Sequence, residues 1–156
     1  TSGMFSRFDA VVLVLEPTLK SMAVYDQCIQ YGKDYGIPLY VVANKIQDAS
    51  DLEFVREKVG HNLITHISSS TFVRQQERGV FQDIECLEKE NLQALQTVLK
   101  KVMTLPKDWD KYQQLGETFH KIKAEGWGNV FCGGDLMKQV DPNFSYAQAA
   151  REMEAL

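Results

Sequence analysis

No apolar run in these 156 residues approaches the ~20 needed to span a bilayer. The opening stretch TSGMFSRFDA also lacks the long apolar core of a signal peptide. Cysteine is scarce. Cys28, Cys86 and Cys132 are widely separated and odd in number, which argues against a disulfide framework and fits a reducing cytoplasm. Basic residues are not in excess: 17 Lys and Arg face 21 Asp and Glu, a net charge of −4, with no overall attraction for nucleic acid or an anionic membrane. His61, His66 and His120 have no ligand spacing with any cysteine or acid. No Ser/His/Asp or Cys/His arrangement and no carboxylate pair can be argued, so the chain brings no catalyst of its own. The glycine-rich motif G-x-x-x-x-G-K-[ST] that cradles phosphates is absent too, and GGDLMKQ, without G-x-G-x-x-G spacing, reads as a turn.

What is present suits one domain with a real core: 44% of residues are hydrophobic and 24% charged. DAVVLVL, residues 9–15, is valine-rich and too short for a helix, as expected of a strand covered on both faces of a parallel sheet. Glu16-Pro17-Thr18 ends it. Leu19 to about Tyr35 carries Leu19, Met22, Ala23 and Ile29 at helical spacing, and Gly36 follows in the usual position past a helix end. PLYVVAN, residues 38–44, is a second strand that runs out into a polar turn. Ser50-Asp51-Leu52-Glu53 reads as a capping box for a helix lined by Leu52, Val55 and Val59. NLITHIS, residues 62–68, is a third strand, more polar and so nearer an edge, and residues 71–78 are helical up to Gly79.

Three strands alternating with helices predict right-handed crossovers and a parallel sheet. The rest is helical. Glu88 to Leu105 is amphipathic through Leu92, Leu95, Leu99 and Val102. Asp108 to about Gly126 has Trp109, Tyr112, Leu115, Phe119 and Ile122 on one side, a stripe that reads as core. Gly126, Gly128, Gly133 and Gly134 break the pattern, and Tyr146 to Leu156 is a terminal helix. The expected fold is therefore α/β, a partial parallel sheet with flanking helices, followed by a helical C-terminal region. So apolar a first strand with so few neighbours implies an edge completed by another polypeptide or by sequence upstream.

The segments SGMFSRFDAVVLVLEPTLKSM, GIPLYVVANKIQD and SSSTFVRQQERG fall in an order and spacing that resembles the C-terminal half of the MinD/ParA/CooC-type P-loop ATPases, which share the nitrogenase iron protein fold. The resemblance covers roughly residues 2–104. It implies a division into residues 1–104, the C-terminal half of a P-loop ATPase domain, and residues 105–156, a helical extension packed on it. Asn44 would hydrogen-bond adenine, since one carboxamide both donates and accepts. Lys45 would stand beside it. Ser68, Ser69 and Ser70 occupy the place of the Pro-x-Asp loop that closes over the base, with both proline and aspartate replaced. Pro17 would sit at the carboxyl end of its strand, facing the nucleotide or a second subunit. The guanine-reading Asn-Lys-x-Asp pattern is not met, because position 47 is Gln47 and Asp48 comes one residue late.

ATP and Mg²⁺ would be the parent's cofactors, bound weakly or not at all by this chain alone. The parent would be a cytoplasmic homodimer that couples ATP binding and hydrolysis to handling an unidentified protein partner or cargo, with no integral membrane segment and no direct contact with nucleic acid. A non-catalytic α/β interaction module, pairing its open sheet edge with another polypeptide, is the alternative.

Overall fold

The computed structural model describes residues 8–155; the part of the first resemblance segment before Phe8, and Leu156, lie outside them. The chain divides into two compact units, one of residues 10–105 and the other of residues 106 onward together with the segment ending at Asp9.

In the first unit, β1 (Val11–Leu15), β2 (Leu39–Ile46) and β3 (Leu63–Ser68) form a parallel sheet in the order β1-β2-β3. Helix α1 (Leu19–Tyr35) connects the first pair and α2 (Ala49–Val59) the second. Both crossovers place their helix on the same face. There Leu39, Val41 and Ala43 of β2 meet Met22 and Tyr25 of α1 and Val55 and Val59 of α2 in one buried cluster. Polar bonds lock the layer: Tyr25 donates to the Val59 carbonyl, Asn62 donates to the Tyr25 hydroxyl at 2.8 Å, and Lys58 pairs with Asp26 at 3.1 Å. Helix α3 spans Thr71–Glu77 and α4 spans Lys89–Met103, packed against β3. The Lys101 ammonium lies 4.7 Å from the Tyr40 ring centroid, so α4 covers the face that Tyr40 shares with Val42.

Several local expectations need correction. Strand β1 is covered unevenly: Leu15 is buried, whereas on the opposite face Val12 is half-buried and Val14 is 55% exposed. Leu19 is 81% exposed, because the buried face of α1 runs through Met22, Tyr25 and Gly32, with Cys28 and Ile29 against it. Gly36 does end that helix, at φ 60°, donating its N–H to the carbonyls of Gly32 and Lys33. Strand β2 does not stop at Asn44. A register shift between Ala43 and Ile46, with Lys45 in the left-handed region at φ 58°, carries it on and swings Ile46 into the cluster that holds Ala43. Helix α2 is capped by Asp48 rather than Ser50. The Asp48 carboxylate accepts from the Ser50 hydroxyl and from the backbone N–H groups of Asp51 and Ser50, which together hold its pKa below the usual carboxylate range.

Helix α4 overturns the expected stripe most completely. Leu92, Leu95, Leu99 and Val102 are all exposed, and the helix turns Asn91 and Ala94 inward instead. The reason is polar: Asn91 is needed by the backbone of β3, as shown below.

The second unit holds α5 (Trp109–Lys123), capped by the Asp108 side chain, then a π-helical turn (Ala124–Gly128), α6 (Asn129–Cys132) and α7 (Tyr146–Glu154). Gly126 and Gly128 thus do not break the helix; they lie in the π-helical turn, and Gly133 at φ 64° ends the run. Trp109, Tyr112, Leu115 and Phe119 are half-buried, not a closed core, and Ile122 is exposed. No helix among the described residues is long and apolar enough to cross a membrane.

Candidate functional site

Parallel strands bring their carboxyl ends to one side of a sheet, and the loops that leave them meet there. Between the ends of β2 and β3 and the start of α3 lies a cavity of about 320 Å³. Asn44 and Lys45 come from β2, residues 67–70 from β3 and its loop, and Val73, Arg74 and Glu77 from α3. Five of the six residues singled out from the sequence are therefore neighbours: Asn44, Lys45, Ser68, Ser69 and Ser70. Pro17 is not in this wall. It lies between β1 and α1, next to Glu16, which reaches the site by an ion pair with Lys45 at 2.6 Å.

Each side chain has a definite state. The Asn44 carboxamide is half-buried at the cavity and makes no hydrogen bond to a described residue, so both its donor and its acceptor are available. Lys45 is committed. The Glu16 carboxylate raises its pKa, first by the hydrogen bond and then by charge, with Glu77 adding a smaller push. The Ser69 hydroxyl donates to the Lys45 carbonyl at 3.3 Å and its N–H to the Ile46 carbonyl at 2.9 Å, which ties the serine loop to the irregular end of β2. Ser70 caps α3 by accepting from the Val73 N–H. Its own proton goes to Glu88 at 2.7 Å, leaving that hydroxyl no further donor.

Two residues that hold the site carried no reading in the sequence. Asn91 gives the backbone of Ser68 a pair of bonds, accepting from its N–H at 2.8 Å and donating to its carbonyl at 3.2 Å, in the manner of a neighbouring strand. Glu88 accepts from the Ser70 hydroxyl, the N–H groups of Thr71 and Phe72 and the Asn91 amide. The Ser70 hydroxyl, followed by the backbone N–H of Glu88 itself, the Phe72 N–H and the Asn91 amide, draws its pKa down to about 2. The carboxylate also stands at the first turn of α3, where the helix dipole favours negative charge. The only signal was position: an acid and an asparagine three residues apart at the start of α4 can face the same loop. On α3 Arg74 lines the cavity, whereas Arg78, just past the helix end, does not.

The site can therefore offer a flat ligand one free carboxamide, apolar contact from Ile67 and Val73, and a serine loop held rigid from behind. Its lining is neutral apart from Lys45, held by Glu16, and Arg74 and Glu77 on α3. No protein-family model, no curated protein and no solved structure matches this chain.

Proposed function

We propose that residues 10–105 form the adenine-recognising part of a nucleotide hydrolase of the MinD/ParA/CooC type. One observation carries the reading: the half-buried, uncommitted Asn44 carboxamide at a cavity where two parallel strands end. Such an amide pairs with the amino donor and ring-nitrogen acceptor of adenine at once. Among the described residues β1 has a neighbouring strand on one side only, which supports the reading further, since a phosphate-binding strand would add to the sheet there. Of an ATP–Mg²⁺ complex, the residues described fit the base alone. The chemistry of a phosphate loop is positioning and charge stabilisation by backbone N–H groups, a lysine and Mg²⁺, and none of those parts is assigned to these residues.

Affinity follows from this. One or two neutral hydrogen bonds contribute ~0.5–1.5 kcal/mol each, against at least ~4 kcal/mol for lost translation and rotation. Those bonds alone do not exceed that cost, so contact with Ile67 and Val73 has to supply the rest, and adenosine should bind at millimolar concentration or weaker, at most ~4 kcal/mol. The test is an affinity series for adenosine and inosine, whose six-position amino group is replaced by a carbonyl, on the wild type and on Asn44→Leu. Adenosine should bind several-fold tighter than inosine, ~1 kcal/mol, and lose that margin in the variant. Equal binding of the two nucleosides by the wild type would contradict the proposal.

The same β1 edge favours a second reading: an interaction module to which another polypeptide adds a strand. It predicts capture of an extended peptide with no dependence on Asn44.

A further inference from the structure

Helix α5 carries a glycine in its interior, at position 116, although glycine is the poorest residue there after proline. Its backbone is not left-handed, and a methyl group built on it would meet nothing within 4 Å, so neither conformation nor packing calls for it. Over this position lies a cavity of about 260 Å³. Tyr112 and Phe119 of α5 and Phe144 and Tyr146 of the following segment form its walls. Tyr146 packs edge-to-face with Tyr112 and with Phe144, both at 4.9 Å between ring centres. Gln113 fixes this arrangement: its amide donates to the Phe144 carbonyl and to Glu117, and its oxygen accepts from the Tyr146 N–H.

The electrostatics have a sign. Aromatic faces are negative and attract cations. The chain's own Lys123 ammonium already lies 5.4 Å from the centre of the Phe119 ring. Glu117 and Asp141 add two carboxylates to the lining, neither in an ion pair with a described residue, against the single ammonium of Lys123. We propose that this cavity binds a small organic cation, a substituted ammonium with an apolar body. The cation sits among the four rings with Glu117 and Asp141 alongside, and Gly116 leaves the floor open for it. A cavity of this size is small for a drug-like ligand and suits a compact one. The site is independent of the adenine-recognition proposal, because none of its residues belongs to residues 10–105.

The test uses the 156-residue chain, isotope-labelled, with choline and with 3,3-dimethylbutan-1-ol, which has the same shape but carbon in place of the charged nitrogen. Choline should shift the amides of Gly116, Glu117 and Tyr146, and bind about tenfold tighter than the alcohol. Gly116→Leu should abolish choline binding, since an added Cβ there meets nothing within 4 Å and the position opens on the cavity, and should not lower the melting temperature, leucine being the better helix former. Glu117→Gln combined with Asp141→Asn should weaken choline several-fold and leave the alcohol unchanged. Equal binding of choline and the alcohol, undiminished choline binding by Gly116→Leu, or the absence of a choline-induced shift at these amides would each overturn the proposal.

Discussion

Replacing Glu88 by glutamine should loosen the serine loop by a pH-dependent amount. The carboxylate accepts four hydrogen bonds, from the Ser70 hydroxyl at 2.7 Å, the N–H groups of Thr71 at 2.8 Å and Phe72 at 3.3 Å, and the Asn91 amide at 3.2 Å. Glutamine is nearly the same size, but it places an NH₂ donor against donors on one side. The pKa of Glu88 is drawn from an ordinary 4.5 to about 2. At full strength that displacement corresponds to about 3 kcal/mol. Water screens part of it at a half-buried site, which leaves on the order of 1–2 kcal/mol. Because the folded-state pKa is depressed, the stabilisation is complete above the ordinary carboxylate value and is lost as pH falls from there towards 2. Urea denaturation followed by circular dichroism at a series of pH values measures this. At pH 7 the variant should lose ~1–2 kcal/mol, or about 5–15 °C in melting temperature for a unit of this size. The gap should shrink steadily as pH falls below the unperturbed value, and hydrogen exchange at Thr71 and Phe72 should quicken in the variant. A gap of equal size at neutral and strongly acid pH would refute the charge-based argument, and no gap at pH 7 would refute the clamp itself.

Lys45, at φ 58°, is strained for a side-chain-bearing residue. In thermal denaturation Lys45→Val should be destabilising by ~1–2 kcal/mol, whereas Lys45→Gly should be close to neutral, strain relief offsetting the lost Glu16 pair and the added chain freedom. Gly36→Ala, at φ 60° behind α1, should cost about 1 kcal/mol by the same assay. With ATP and Mg²⁺ the chain should show no phosphate release above the no-protein control, since the proposed site grips no phosphate; measurable turnover would contradict the division of labour proposed above.

Much of the first unit was legible because its signals are local. Valine-rich runs bounded by Pro17 and Pro38 are short enough to be strands only, and Gly36 and Gly79 sit where helices stop. The candidate site residues came from the resemblance to the ATPase family, and the parallel sheet accounts for their meeting: Asn44, close to the carboxyl end of β2, and Ser68, at that of β3, lie on the same side. What stayed hidden depends on through-space partners. Nothing local says that Glu88 and Asn91 reach back to residues 68–72, and that demand rotates α4 so that Leu92, Leu95 and Leu99 face outward against the hydrophobic pattern. The twist at Lys45 was hidden because any residue type can be forced into it by a buried neighbour, here Ile46. Gly126 and Gly128 read as breakers, yet a π-helical turn accommodates both.

Titrating adenosine into the isotope-labelled chain and mapping the amide shifts tests the central claim most directly. The account predicts weak, saturable shifts confined to Asn44, Lys45, Ser68, Ser69 and Ser70, reduced in Asn44→Leu. Shifts that avoid those residues, or that persist unchanged in the variant, would contradict it.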